Sequence, residues 1–249
     1  MKEIIDLHCH FNHGDEYDTK TNELYEASLD FLLKEHKFAG VNKTAFSTFS
    51  SVISSNNVVA ENEYLHKVAL ETPNVFQWVV IDPRVQKTFE QAERMLVSNK
   101  VLGVKIHPPY HKYRIDDFAD KIFSFANERN CKVLMHPDNI VGLPSFVDRY
   151  PKMQLILAHL GSMEHIEAIK NAKRKNIFTD TSGNASSKNN VIEYAVKTIG
   201  ADRIYFGTDT YAVGFQLGRI LFSRISDSDK EKILYKNALQ NFSNLNVKI

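Results

Sequence analysis

Short apolar segments recur along the chain, and each is followed by a segment with helical periodicity. Most of these segments are continuously apolar rather than alternating, which is typical of parallel strands buried on both faces. Strands are predicted at Glu3–His8, Gly40–Phe46, Val75–Ile81, Val101–His107, Lys132–His136, Met153–His159, Asn176–Asp180 and Arg203–Asp209. Strands that alternate with helices in this way indicate a parallel α/β fold.

The segments between the strands carry the period of amphipathic helices. Phe118, Ile122 and Phe125 fall on one helical face, and Ser226–Phe242 predicts a closing helix. The periodicity alone also allows an open doubly wound sheet. The eightfold repetition and the length of 249 residues favour a single (β/α)₈ TIM barrel that spans residues 1–249.

Composition narrows the classes of partner. The chain has 31 Lys and Arg against 30 Asp and Glu, so charge gives no case for nucleic acid or an anionic membrane as a partner. No segment approaches 18 apolar residues, and the two cysteines imply no disulfide framework. We therefore expect a cytoplasmic protein with a small-molecule substrate, and leave a homodimer open.

Side chains capable of metal binding or catalysis stand at the ends of five predicted strands. These ends are Asp6-Leu7-His8-Cys9-His10, Lys105-Ile106-His107-Pro108, Met135-His136-Pro137, Ala158-His159-Leu160-Gly161 and Gly207-Thr208-Asp209-Thr210. In a closed barrel the carboxyl ends of all strands surround one mouth, where barrel enzymes carry their active sites. Residues far apart in the sequence are therefore expected to meet there.

Four of these side chains suit a metal ion. His8 and His10 are two residues apart on a strand, so both imidazoles point to the same side. His136 and Asp209 can complete a set of three nitrogens and one oxygen with an open position for water. Such a set suits Zn²⁺ first, with Mn²⁺, Fe²⁺ or Ni²⁺ as alternatives. A lone histidine at a strand end is more often structural, but packing does not readily explain the whole set.

The same motifs resemble those of the amidohydrolase superfamily. Asp6-Leu7-His8-Cys9-His10 is similar to its first-strand signature. The segments 155–161 and 206–209 resemble the sixth- and eighth-strand signatures of the amidohydrolase-related branch, which includes aminocarboxymuconate-semialdehyde decarboxylase. The segments 180–183 and 235–239 are also similar to that branch, so the resemblance covers nearly the whole chain in order.

This resemblance implies roles for individual residues. The positions that match His8, His10, His136 and Asp209 bind metal in the family. The position that matches His159 acts on the substrate or its attacking water, and Asp209 would also take a proton from that water. The resemblance therefore implies a metal-dependent TIM-barrel enzyme with Asp209 and His159 as catalytic residues.

Two features depart from the family pattern. If Lys105 is carboxylated it could bridge a second ion, which would raise the expected metal content from one ion to two. It could instead be a buried charge paired with an acid such as Asp209, or bind a substrate carboxylate. Asp138 and Asn139 follow His136-Pro137 where the well-known decarboxylases commonly carry an aromatic residue, which favours hydrolysis over decarboxylation.

The leading prediction is a hydrolase in which metal-activated water cleaves an amide, ester or lactone. Lys105, His107 and Arg84 are expected to face the pocket, either binding a substrate carboxylate or, in part, a second metal. The alternative is a metal-dependent decarboxylase of an unsaturated or aromatic acid. A third is a metal-binding barrel without catalysis. We further expect the three helical histidines, His36, His66 and His165, at the surface.

Overall fold

The computed structural model describes residues 3–13 and 26–246. The strands form one parallel eight-stranded sheet in which they follow one another in sequence order. They are β1 (Ile5–Phe11), β2 (Lys43–Thr48), β3 (Val75–Val80), β4 (Val101–Ile106), β5 (Lys132–Met135), β6 (Gln154–Leu157), β7 (Ile177–Asp180) and β8 (Ile204–Tyr205).

Helices alternate with the strands. They are α1 (Leu29–Phe38), α2 (Phe49–Ile53), α3 (Val58–Glu71), α4 (Gln86–Met95), α5 (Pro108–His111), α6 (Ile115–Glu128), α7 (Leu143–Val147), α8 (Met163–Asn171), α9 (Val191–Ile199), α10 (Val213–Leu221), α11 (Asp227–Glu231) and α12 (Asn237–Asn241). A π-helical turn, Lys232–Lys236, joins the last two, so the predicted closing helix at 226–242 is observed with one irregular turn. Within the described ranges, every helix is too short or too polar to cross a membrane.

Backbone hydrogen bonds join the last strand to the first and close the sheet. The amide of Leu7 donates to the carbonyl of Phe206 at 3.0 Å. The amides of Thr208 and Asp209 donate to the carbonyl of His8 at 3.0 and 2.8 Å. This closure and the sequential strand order confirm the predicted (β/α)₈ TIM barrel, since a doubly wound sheet would change the strand order at a switch point.

Apolar side chains fill the barrel at the end opposite the predicted site. Trp78 and Tyr205 are fully buried there, and both pack against Phe242 with ring centroids 6.0 and 5.9 Å away. The indole of Trp78 donates to the carbonyl of Leu7 at 2.8 Å, which satisfies its buried N–H. The segment after α12 therefore seals this end, and the polar strand ends lie at the other.

Two histidines expected at the surface are buried. His36 and His165 are only 3% and 2% exposed, so the surface prediction for them is wrong. The His36 ring bonds to the hydroxyl of Thr44 at 2.9 Å, and the His165 ring bonds to the carbonyl of Leu157 at 3.1 Å. His66 is half-buried. Both buried rings find polar partners on the sheet, which helical periodicity cannot reveal because the partners lie on other segments.

Gly103 lies on β4 opposite Lys132 of β5, and the space around it leads to a stability prediction. A Cβ at this position would lie 2.4 Å from the carbonyl oxygen of Lys132 and 2.8 Å from the ring of Trp78. Gly103→Ala should therefore lower the free energy of unfolding by about 1–3 kcal/mol, measured by chemical denaturation. Gly214→Ala is the control, because a Cβ there meets nothing within 4 Å. Equal stabilities in the two variants would contradict the tight contact.

Candidate metal centre

His8 is oriented by Asp180 at the end of β7. Nδ1 of His8 lies 2.9 Å from a carboxylate oxygen of Asp180, and both side chains are buried. The amides of Ser182 and His159 donate to the other carboxylate oxygen at 3.0 and 3.2 Å. Burial by itself would raise the pKa of Asp180, but His8, His159 and Ser182 hold that pKa well below its ordinary value. The ionised carboxylate therefore accepts a hydrogen bond from Nδ1–H of His8, and Nε2 of that ring carries the lone pair.

His10 has the same arrangement with a different partner. Its Nδ1 lies 3.0 Å from the carbonyl oxygen of Ser47, which can only accept, so Nδ1 carries the proton. Burial lowers the pKa of His10, and burial together with Lys105 lowers that of His8 to about 3, so both rings are neutral at pH 7. The two Nε2 atoms are 3.1 Å apart. Two lone pairs therefore face one small volume.

Asp209 adds a carboxylate oxygen to this pair. Its Oδ1 lies 3.3 Å from Nε2 of His10 and 3.7 Å from Nε2 of His8. Donor atoms at these separations suit a single ion with bonds of about 2.0–2.2 Å to nitrogen and oxygen. Three of the four predicted ligands thus form one compact group of donors that fits a divalent metal.

Unusual backbone conformations bring these side chains together. His159, Asp209 and Thr210 have φ of 65°, 55° and 74°, in the left-handed region that non-glycine residues seldom adopt. Gly183 also has positive φ, and a Cβ there would lie 3.0 Å from Nδ1 of His159 and 3.1 Å from Oδ2 of Asp209. Such conformations persist where the surrounding structure determines them, and they concentrate at functional sites.

His136, the fourth predicted ligand, is paired with His159. Nε2 of His159 lies 3.1 Å from Nδ1 of His136, and Nδ1 of His159 lies 3.8 Å from Oδ2 of Asp209. Burial and the adjacent His159 lower the pKa of His136 to about 3. His136 stands outside the compact group of His8, His10 and Asp209. The structure therefore gathers all five side chains at one place, with His159 between His136 and Asp209.

Lys105 lies beneath this group. It is fully buried, and its Nζ is 2.9 Å from Nε2 of His8. Burial lowers the pKa of Lys105 to about 8, and the charges of Asp209 and Asp180 oppose that change. The close polar contact of Lys105 is thus with His8, and the predicted pairing with an acid such as Asp209 stays a prediction. Lys105 is absent from the described residues that line the cavity above it.

The structure places Arg84 away from the pocket, contrary to the sequence-based expectation. Its guanidinium donates to both carboxylate oxygens of Asp82, at 3.0 and 2.7 Å, and to the carbonyl of His111. Burial acts to raise the pKa of Asp82, but hydrogen bonds from Arg84 and Ser55 outweigh it and lower that pKa to about 2. Arg84 is therefore bonded to a buried carboxylate and lies outside the described lining of the cavity.

This pairing predicts a pH-dependent loss of stability in Arg84→Met. The folded-state pKa of Asp82 lies below the unfolded value of about 3.9, so the pair stabilises the fold above about pH 4 and loses that effect as the pH falls towards 2. The stability difference between wild type and variant should shrink from pH 7 to pH 3 in urea denaturation. Arg94→Met is the control, because Arg94 pairs with Glu63 on the surface. A difference that does not change with pH would contradict this role.

A cavity of about 740 Å³ opens above the group. His10, His107, His136, His159 and Asp209 line its inner end. Aromatic rings contribute to the remaining wall, namely Phe31, Phe49, Tyr110 and Tyr211. Lys and Arg do not occur among its described lining residues. The inner end is therefore rich in imidazole rings, and the outer wall suits a planar apolar group.

Sequence reasoning missed several of these residues. Asp180 ends a strand, so the rule that identified His8 and Asp209 could have found it. Tyr110 lies in the short helix α5, Phe49 begins the short helix α2, and Tyr211 lies in the loop after β8. A single aromatic residue in such a segment carries no periodic signal of its direction.

Comparison with known proteins places these features in context. A comparison with curated protein sequences gives no match. A dihydroxybenzoic acid decarboxylase from Polaromonas sp. JS666, with bound manganese and the inhibitor 2-nitroresorcinol, has a TM-score of 0.77 at 16% identity over 99% of this chain and 100% of that one. The 5-carboxyvanillate decarboxylase of Sphingomonas paucimobilis has a TM-score of 0.77 at 12% identity over 98% and 99%.

A structure described as that of a candidate hydrolase is also similar to this chain. A candidate 2-pyrone-4,6-dicarboxylic acid hydrolase from Pseudomonas putida has a TM-score of 0.73 at 16% identity over all of both chains. These likenesses show a shared barrel. The Amidohydrolase family model matches residues 5–242, almost the whole chain. This protein therefore belongs to the amidohydrolase family, as its strand-end motifs predicted.

Proposed function

We propose that the protein is a metal-dependent, non-oxidative decarboxylase of an aromatic acid. The observation that carries the proposal is the cavity, whose inner end holds the donor group and whose described lining has aromatic rings but no Lys or Arg. A substrate carboxylate would then be neutralised at the donor group rather than at a distant cation. Similar barrels that act on dihydroxybenzoate and carboxyvanillate support this ranking over the hydrolase that the sequence favoured.

His8, His10 and Asp209 would hold the ion, with His136 as the further candidate ligand. Manganese is bound in two similar decarboxylases, and the nitrogen and oxygen donors also suit zinc. When bound, the metal supplies a positive charge that neutralises and orients an acidic substrate. Asp180 would hold His8 in the tautomer that binding requires, since such outer partners fix a ligand ring.

Asp209 and His159 would manage the proton. Decarboxylation breaks the bond between the ring and the carboxylate, releases carbon dioxide and leaves an electron pair that must take one proton. The 3.8 Å separation of His159 Nδ1 and Asp209 Oδ2 places an imidazole, which can donate a proton, beside a carboxylate, which can accept one, on the cavity wall. We propose that this pair delivers the proton to the ring carbon.

The substrate would be an acid with a hydroxyl group beside the departing carboxylate. Such a hydroxyl feeds electron density into the ring carbon that is protonated, and both 2,6-dihydroxybenzoate and 5-carboxyvanillate carry one. Phe49, Tyr110 and Tyr211 would contact the ring and exclude water from it.

Hydrolysis of a lactone is the second candidate. The Pseudomonas putida barrel, described as a hydrolase of a pyrone dicarboxylic acid, favours it. Asp209 would here take a proton from the attacking water, and His159 would polarise the carbonyl. The two reactions differ in which bond breaks, so one experiment can separate them.

The metal assignment predicts that the purified protein binds about one divalent ion per chain. His8→Ala and Asp209→Ala should each lower this content sharply in elemental analysis, because each removes a donor from the compact group. His66→Ala is the control, since its half-buried ring bonds to Gln77 outside the site. Unchanged content in both site variants would refute the assignment. A ratio near two that falls in Lys105→Ala would instead support a bridging lysine.

The proposed reaction predicts release of carbon dioxide from hydroxybenzoic acids by the metal-loaded enzyme. His159→Ala should keep its metal and lose activity by about 10²- to 10⁴-fold, the range for a proton-transfer residue. Asp209→Asn should abolish turnover. Phe222→Ala is a surface control, because Phe222 is 87% exposed. Cleavage of a lactone with incorporation of solvent oxygen, and no carbon dioxide, would reverse the ranking.

A further inference from the structure

His107 lies on the cavity wall beside the donor group, with its ring held between two others. It follows β4 directly and is only 4% exposed. The ring stacks on His136 with centroids 4.0 Å apart and an interplanar angle of 20°. On its other face it stacks on Tyr110, at 4.3 Å and 23°. A ring packed on both faces cannot turn without breaking both contacts.

A backbone amide sets the position of the proton on this ring. His107 caps the N-terminus of α5, and its Nδ1 lies 3.2 Å from the amide nitrogen of Tyr110. An amide N–H only donates, so Nδ1 must offer its lone pair. A neutral imidazole carries one proton, which therefore resides on Nε2. Protonation at Nδ1 would set two donors against each other and break the cap.

This tautomer is the opposite of that found in the donor group. His8 and His10 each use Nδ1–H to bond an acceptor, Asp180 and the carbonyl of Ser47, and present an Nε2 lone pair. His107 uses its lone pair to bond a donor and presents an Nε2–H. Among the described residues, the hydrogen bond at Nδ1 is the one that this ring makes. His10 and His107, which both line the cavity, thus carry their ring protons on opposite nitrogens.

We infer that His107 binds substrate as a fixed hydrogen-bond donor from Nε2–H and is not a metal ligand. The acceptor would be an oxygen of the substrate, either a carboxylate oxygen or the ring hydroxyl beside it. The identity of this acceptor rests on the proposed function, whereas the tautomer does not. Because Lys and Arg are absent from the described lining, a neutral donor held in one orientation selects an oxygen by direction rather than by charge.

The tautomer is tested by long-range ¹H–¹⁵N correlation NMR of histidine-labelled, zinc-loaded protein, with His107→Gln used to assign the signals. We expect a proton on Nε2 and an unprotonated Nδ1 for His107, and the reverse pattern for His10. A proton on Nδ1 of His107, or two ring protons, would overturn the inference whatever the enzyme's activity.

A matched pair of variants isolates the amide of Tyr110. Tyr110→Pro removes both the N–H and the ring, whereas Tyr110→Ala removes the ring alone. Proline is tolerated in the first turn of a helix, where the amide has no partner within the helix. We expect His107 to keep its Nε2 proton in Tyr110→Ala and to populate both tautomers in Tyr110→Pro. An identical tautomer in both would show that the amide does not set it, and the wild-type spectrum decides the matter if the proline variant fails to fold.

The substrate role is tested by calorimetric binding of 2,6-dihydroxybenzoate to the manganese-loaded protein. His107→Phe keeps a flat ring but lacks the donor, and should weaken binding about 10- to 100-fold, the loss expected for a hydrogen bond to a charged group. His107→Gln restores an N–H and should recover much of the affinity. Metal content should be unchanged in both variants.

Each result separates the inference from the proposed function. Equal affinities in wild type and His107→Phe would overturn the donor role and leave the decarboxylase proposal intact. Loss of metal in His107→Phe would make His107 a ligand and overturn the inference. Failure of wild type to bind any hydroxybenzoic acid would overturn the decarboxylase proposal, and the tautomer would then decide between donor and ligand.

Discussion

The hydrogen bond between Asp180 and Nδ1 of His8 is the interaction on which the rest of the site depends. It buries an ionised carboxylate in the barrel, which is costly unless donors surround that group. His8, Ser182 and the amide of His159 supply those donors. The same bond fixes the tautomer of His8 and aims its lone pair at His10 and Asp209. The contacts that stabilise the buried charge of Asp180 therefore also orient the donor atom of His8.

Backbone groups assign different chemistry to otherwise similar histidines. A carbonyl at Ser47 places the proton of His10 on Nδ1, whereas an amide at Tyr110 places the proton of His107 on Nε2. Because burial also keeps these rings neutral, their roles are set by the path of the backbone around them rather than by solution pH.

Stability and chemistry reside at opposite ends of the barrel. Trp78, Tyr205 and Phe242 fill one end with apolar contacts, while positive φ angles collect at the other, at His159, Asp209 and Thr210. Strained conformations at the rim are tolerated because the closed sheet holds both flanks of each loop. Lys105 lies between the two zones, buried and in contact with His8. The barrel therefore supplies the rigidity that a group of convergent donors requires.

The sequence by itself determined the barrel and the set of side chains at its mouth. Apolar runs with helices between them encode the strand order, and His8, His10, His159 and Asp209 were identifiable because parallel strands place their carboxyl ends together. The tertiary structure alone decided which residues touch. It directed Arg84 to Asp82, set His136 beside His159, buried His36 and His165, and brought Asp180 to His8 across 172 positions. The physical reason is that periodicity reports which side of an element faces the core, whereas hydrogen bonds depend on angles and distances of a few ångströms between distant segments.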